Sequence, residues 1–264
     1  MPPASVVINY CSNEKAFLDA AVGQALLFSD DVVVSYGSCL YDGTPEDLQH
    51  IADARARFPS VQFVEYTVDT SVDMSRQRGV VRRAKAYWCN LARWTGIQAL
   101  RRRGWVFIVD VDEVFEGALV RAWLQHAELR EDECYKVANY WYFKDVTNQA
   151  TTLEDSVLLI HAKHLTEATV FGDNERDHTI PASGTKLQTL VRGRDGEVLA
   201  HHFSWCRSPS SLTHKIRNWS HSDDIFKGVD VQPLVDHIFR DANVNDVVHG
   251  YKYITVDNKF GIRL

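Results

Sequence analysis

The sequence predicts an α/β protein with a Rossmann-type, mostly parallel central sheet flanked by helices and a more irregular C-terminal half. Three observations carry this. Short apolar runs rich in β-branched residues recur at 5–10, 31–36, 61–66 and 105–110. Segments with apolar residues at helical spacing separate them, and this alternation specifies a parallel sheet with crossover helices. Polar and acidic residues follow the first and fourth runs, where open α/β sheets bind ligands at the carboxyl ends of their strands.

SVVINY (5–10) is the first predicted strand. A helix opens at Asn13, with Phe17, Ala20, Ala21, Gln24 and Leu27 at roughly helical spacing. DVVVSY (31–36) is the second strand. Thr44 before Pro45 marks the start of the next helix, which runs to about Arg57. Val61–Tyr66 is the third strand, and a helix over roughly 80–103 is closed by Gly104 at its C-terminus. WVFIVD is the fourth. Beyond it, Gly117–Gln125 reads as a helix and Cys134–Phe143 as a strand. Residues 144–185 read as irregular and polar. Lys186–Val191 and Val198–Phe203 read as strands around a GRDG turn, and Ser208–Trp219 and Gln232–Arg240 as helices. The expectation is one domain over 1–264, with 1–116 as a nucleotide-binding half and 117–264 as an acceptor-binding half.

Composition narrows the functional classes. The 264 residues are 45% hydrophobic and 24% charged, ordinary for a globular chain with a sizeable core. A net charge of -6 without a basic stripe argues against nucleic acid as the main partner. The five cysteines are odd in number and lack CxxC spacing, so reduced thiols are expected rather than a disulfide framework or a zinc site. The N-terminus lacks the pattern of a signal peptide, and no apolar run is long enough to span a membrane. A soluble, intracellular protein is expected.

The chemistry-bearing motif is WVFIVDVDEVFEG (105–117). Asp110, Asp112 and Glu113 at the mouth of a buried strand repel one another and resist desolvation unless a cation or proton compensates. A solvated acidic turn and a divalent-metal site are the two readings. DxD alone is a weak signal, but DxDE after WVFIV at the end of a fourth βα unit is more specific.

Several stretches resemble the GT-A glycosyltransferases, similar to family 2 and family 92 type enzymes, including those of large DNA viruses. They are VVINYCSNEKAFL, FSDDVVVSYGSCLYDGTPED, WCNLARWTGIQALRRRGWVFIVDVDE, SGTKLQTLVR, HHFSWCRS and HKIRNWSHSDD. The likeness covers most of the chain and is weakest over 144–183. It implies a GT-A fold and transfer of a sugar from a nucleotide donor, UDP-linked in the first instance, to a hydroxyl of a glycan or glycoconjugate. Such chemistry builds negative charge on the departing β-phosphate oxygen, which Mn²⁺ or Mg²⁺ on hard oxygen ligands stabilises. By this resemblance Asp112 is the direct ligand, Asp110 reaches the donor ribose or a metal-bound water, and Glu113 orients the cluster or contacts the sugar. His202, closing a predicted strand, is the favoured third ligand; a core histidine is the plainer alternative.

The resemblance also places the nucleoside over the first strand, against Asn9, Tyr10, Ser12 and Glu14, with Asp69 as a further base or ribose contact. Arg76, Arg78, Arg82 and Lys85 are candidates for the diphosphate, as are Lys186 and Lys215 with Arg217. An inverting transfer needs a carboxylate to deprotonate the acceptor. Asp155 and Glu175 are the first choices for that base, ahead of Glu154, Asp173 and Asp177. Trp141 and Trp219 are possible acceptor contacts, although large aromatics are more often core.

A haloacid-dehalogenase-type phosphatase is the rival. VDVDEV (109–114) fits its nucleophile motif, with Asp110 as nucleophile and Asp112 as general acid, and GDNERD (172–177) fits its later acidic motif. Against it stand the three βα units before Asp110 and the short separation of the two motifs. A lectin-like module would not need a carboxylate cluster beside a nucleotide-shaped half.

Overall fold

The computed structural model describes residues 3–69, 71, 83–218, 228–240, 244 and 246–264. Its first half is built as the alternation predicts: β1 (Ala4–Tyr10), α1 (Lys15–Ala25), β2 (Val32–Gly37), α2 (Leu48–Arg57), β3 (Gln62–Tyr66), α3 (Ala84–Ala99) and β4 (Trp105–Asp110). Then come β5 (Glu113–Phe115), α4 (Gly117–His126), β6 (Glu133–Lys144), β7 (Asn148–His161), α5 (Glu167–Val170) and α6 (Arg176–Ser183). β8 (Lys186–Val191), β9 (Ala200–Cys206), α7 (Pro209–Asn218), α8 (Gln232–Phe239) and β10 (Tyr253–Thr255) complete the described elements.

One sheet runs in the order β3-β2-β1-β4-β7-β6-β9-β5, with β8 also on β6 and β10 on β7. β3, β2, β1 and β4 are mutually parallel. β7 then runs antiparallel to both β4 and β6. β8 and β9 lie parallel to successive parts of β6.

The parallel strands are apolar on both faces because both are covered. Val6, Ile8, Phe107 and Val109 point into a core with Phe17, Leu18 and Val22 of α1. Val7, Val106 and Ile108 point the other way, against Ala86, Trp88, Ala92 and Ile97 of α3. Each fully buried side chain of this size contributes about 1.5–3 kcal/mol. Among the described residues no helix is long and apolar enough to cross a membrane.

Several expected details are corrected. α2 begins at Leu48, capped by Asp47, whose carboxylate accepts from the backbone N–H of His50 at 3.0 Å; Thr44 does not cap it. α3 ends at Ala99 with Leu100 already extended, so Gly104 is not its C-terminal glycine. Gly104 instead allows a close approach, because a Cβ there would lie 3.1 Å from the carbonyl oxygen of Pro3. The segment expected to be irregular contains the 14-residue β7, in the middle of the sheet. Val157–Ile160 form the apolar, buried run of β7; of the residues before them only Ala150 is buried. β8 and β9 do not pair with each other around GRDG, since each adds to β6.

Gly117 is required where α4 meets α1. A Cβ there would lie 2.2 Å from the backbone oxygen of Gln24, and the Gly117 N–H already binds the Gln24 side chain at 2.9 Å. Gly117→Ala is therefore expected to cost about 1–3 kcal/mol, seen as a lower urea midpoint with an unchanged slope.

Candidate active site

β1 and β4 are neighbours in register, pairing Asn9 with Asp110, so both strands end at the same place. A cavity of about 800 Å³ opens there. Asn9, Tyr10, Tyr41 and Tyr66 line it, as do Trp141, Glu154, Asp155, His249 and Tyr251. Asp110, Asp112, His202 and Lys215 lie on its wall as well.

Two of the carboxylates of 110–113 are buried, Asp112 and Glu113 at 2% and 1% exposed, while Asp110 is partly exposed. Basic side chains compensate all three in two groups. In the first, the buried Arg93 bonds Asp110 at 3.1 Å and Glu175 at 2.7 Å. Arg176 bonds Glu113 through both terminal nitrogens, at 2.5 and 2.7 Å, and Asp110 at 3.3 Å. Glu113 also accepts from the backbone N–H of Asp110 at 2.9 Å. Burial pushes the Glu113 carboxyl up, but Arg176 outweighs it and holds the group below its ordinary range.

In the second group, Lys215 bonds Asp112 and Glu14 at 2.7 Å each. Arg207 bonds Glu14 at 2.5 Å and Asp112 at 3.2 Å. Burial raises Asp112, yet Lys215, His202 and Arg207 together hold it well below the carboxylate range. Glu14 goes the other way: burial dominates and raises it.

The three residues expected as metal ligands are not brought together as a set. Asp110 belongs to the Arg93–Arg176 group. Among the described residues no group of three His, Cys, Asp or Glu side chains converges as a metal site. Asp112 and His202 do face each other. Asp112 Oδ2 takes the bonds from Arg207 and Lys215, while Oδ1 lies 3.8 Å from His202 Nε2, too far for a hydrogen bond. His202 Nδ1 is buried without a partner. One carboxylate oxygen and one imidazole nitrogen facing each other across a gap fit Mn²⁺ or Mg²⁺ held by few side chains and completed by substrate phosphate.

The remaining expected contacts divide. Asn9 reaches the cavity and donates to Asp110 at 3.2 Å. Tyr10 lines the cavity, but its ring is 1% exposed and packed in the core, with its hydroxyl unpartnered. Ser12 is engaged with the start of α2: its backbone N–H donates to Glu46, and its hydroxyl accepts from the Asp47 N–H. Asp69 folds onto Ser71, Lys85 bonds the Arg217 carbonyl at 2.6 Å, and Lys186 projects from β8 near Glu133; none of the three lines the cavity. Arg76, Arg78, Arg82 and Trp219 lie outside the described residues. Of the two expected bases, Glu175 is committed to Arg93. Asp155 faces the cavity, 3.8 Å from Lys136, and burial raises its carboxyl.

Sequence reasoning missed Arg93, Arg176 and Arg207. Arg93 had a signal: it falls on the same helical stripe as Ala86, Cys89, Asn90 and Ile97, all buried in α3. A cation on a buried face must meet a carboxylate.

The phosphatase reading is overturned here. Its second motif requires a strand before GDNERD, but Glu167–Val170 is α5 and Arg176 begins α6. Asp110, its nucleophile, is bonded by Asn9, Arg93 and Arg176.

No protein-family profile matches the chain, and no curated protein matches it in sequence. Solved structures similar to it include a mannosyltransferase of Pyrobaculum calidifontis in complex with GDP-mannose and Mn²⁺. That match has 10% identity and a TM-score of 0.48, over 89% of this chain and 68% of that one. An active-site variant of LgtC matches at 12% identity and a TM-score of 0.45, over 78% and 89%. The bifunctional glycosyltransferase WbbM matches at 14% identity and a TM-score of 0.44 over 86% of this chain. The chain spans 52% of WbbM and 42% of S. aureus TarS, another similar structure.

Proposed function

We propose that the protein is a glycosyltransferase that binds a nucleotide sugar across the carboxyl ends of β1 and β4. It moves the sugar to a hydroxyl of a glycan or glycoconjugate, and UDP is the nucleotide of first choice. The observation that carries this reading is the meeting of Asp112, His202 and Lys215 on the wall of one cavity. Its lining includes Tyr41 and Tyr66, which suit a nucleoside, and Trp141, Asp155 and Tyr251, which suit an acceptor.

Charge supports the same assignment. Glu14, Asp110, Asp112, Glu113 and Glu175 face Arg93, Arg176, Arg207 and Lys215. A diphosphate adds further negative charge, which a divalent cation held by Asp112 and His202 would offset as it stabilises the leaving group. The chain's own part is to place a cation beside it. Lys215, fixed between Asp112 and Glu14, presents a desolvated ammonium where the leaving oxygen gains charge. Arg93 and Arg176 hold Asp110 and Glu113, which keeps the end of β4 rigid beneath the donor.

The test is turnover. The protein is incubated with UDP-glucose, UDP-galactose, UDP-N-acetylglucosamine or GDP-mannose and Mn²⁺, and free nucleoside diphosphate is measured. Release from one donor, abolished in Lys215→Met, is expected. Equal release from that variant would remove Lys215 from the mechanism, and release from none of the donors would count against the reading.

A further inference from the structure

We infer that His249, oriented by Glu154, is the base that takes the proton from the attacking hydroxyl. This rests on the glycosyltransferase reading and goes beyond it by naming the residue and making the transfer inverting. The cavity lining contains a histidine–carboxylate pair. His249 Nε2 lies 3.3 Å from Glu154 Oε1, with the two side chains 33% and 18% exposed. Both residues line the cavity that Asp112, His202 and Lys215 also line.

The ring is held in place. Asp246 accepts from the backbone N–H groups of Val248, His249 and Tyr251 at 2.8–3.0 Å and from the Tyr253 hydroxyl at 2.7 Å. Tyr253 belongs to β10, which pairs with β7, so the hook carrying His249 is fastened to the strand that carries Glu154. The imidazole stacks on Tyr251 at 4.9 Å and meets Trp141 edge-on at 4.8 Å. His202 meets Trp141 in the same manner at 4.9 Å. The proposed metal-side histidine and the proposed base thus pack against one and the same indole.

The two carboxylates first expected as bases are less suited. Glu175 is bonded to Arg93. Asp155 is engaged at both oxygens, accepting from the Leu190 N–H on one and facing Lys136, which it shares with Asp177, on the other. The titratable groups around the His249 ring are Glu154 on β7, Tyr251 and Asp246 in its own segment, and His202 beyond Trp141. With Nε2 turned to Glu154, Nδ1 is the nitrogen left for the substrate.

The step balances without a further reactant. The acceptor oxygen forms its bond to the anomeric carbon and gives its proton to His249 Nδ1. The bond from that carbon to the β-phosphate oxygen breaks, and its electron pair leaves on the diphosphate. Glu154 stabilises the imidazolium.

The experiment uses the full chain and the nucleotide sugar that it turns over, with water as acceptor, and follows nucleoside diphosphate release against pH. UDP or GDP binding is measured calorimetrically alongside. His249→Gln is expected to lower kcat by about 10²–10⁴-fold with nucleotide affinity unchanged. Glu154→Gln is expected to lower kcat less, with KM for the donor unchanged, because the ring loses the carboxylate that orients it. A merely structural role would move kcat and KM together. A kcat within threefold of wild type in both His249→Gln and His249→Asn overturns the assignment, as does loss of turnover in Asp155→Asn with His249→Gln active. If the wild-type protein releases no nucleotide from any donor, the glycosyltransferase reading fails, and this inference with it.

Discussion

Replacing Arg176 by methionine is expected to lower the melting midpoint by roughly 10 °C, the largest stability effect of any substitution at the site. Arg176 is the bidentate partner of Glu113, whose side chain is fully buried. Removing one member of a buried ion pair costs about 3–5 kcal/mol, and in a chain of this size each kcal/mol is worth about 2–4 °C. The pH dependence supplies a second readout. In the wild-type protein Glu113 is held below its ordinary range. Its stabilising contribution is therefore complete above the unfolded-state value of about 4.3 and is lost as pH falls through the depressed folded-state value. Without Arg176 the chief group opposing burial is gone, and only the Asp110 N–H and the His202 charge still favour the carboxylate, so acidification should cost the variant less stability than it costs the wild type. Melting curves from pH 7 to pH 3 check both statements. A variant that melts with the wild type at neutral pH would show that the pair does not hold the end of β4. Glu113→Gln together with Arg176→Met should recover much of the loss, because no buried charge is then stranded.

The largest effect on activity is expected from Asp112→Asn, which should cut nucleotide-sugar turnover by about 10³-fold or more. One carboxylate does two things here. Its Oδ2 anchors Lys215 and Arg207, and its Oδ1 faces His202. The amide keeps the shape but loses the charge. Lys215 and Arg207 then share only Glu14, and the proposed cation site loses its carboxylate. Glu14 keeps both basic side chains partnered, so the far-ultraviolet spectrum of the variant should match the wild type. Steady-state rates at saturating donor, with and without EDTA, make the comparison. Turnover within tenfold of wild type would remove Asp112 from the mechanism.

Much of the nucleotide-side architecture was legible in the sequence. β1, β2 and β4 are short apolar runs separated by amphipathic segments, and burial on both faces makes such strands conspicuous. The placement of Asn9 and the carboxylates at strand ends followed from the alternation. β7 was not legible, because only its last third is apolar; the rest is polar where it lines the cavity, so neither a period of two nor an apolar run marks it. The charge partners of the acidic motif were harder still. Arg93, Arg176 and Arg207 lie 17, 66 and 95 positions from the Asp110 and Asp112 groups they bond. No local pattern records such a pairing. His249 sits in a C-terminal hook fixed by Asp246, where one aspartate replaces the hydrogen bonds that a regular element would show as periodicity.

The acidic motif at 110–113 is therefore neither a solvated turn nor a bare metal cluster. Its charges are met first by the protein's own guanidinium and ammonium groups, and this leaves one carboxylate oxygen and one imidazole facing each other. The most direct test that this arrangement serves a nucleotide diphosphate is thermal melting with UDP, GDP, CMP and TDP, each with and without Mn²⁺. A ligand that binds only the folded chain raises the midpoint by mass action. The account predicts a rise with one nucleoside diphosphate, larger with Mn²⁺ than without, and diminished in Asp112→Asn. No rise with any of the four, with or without metal, would contradict it.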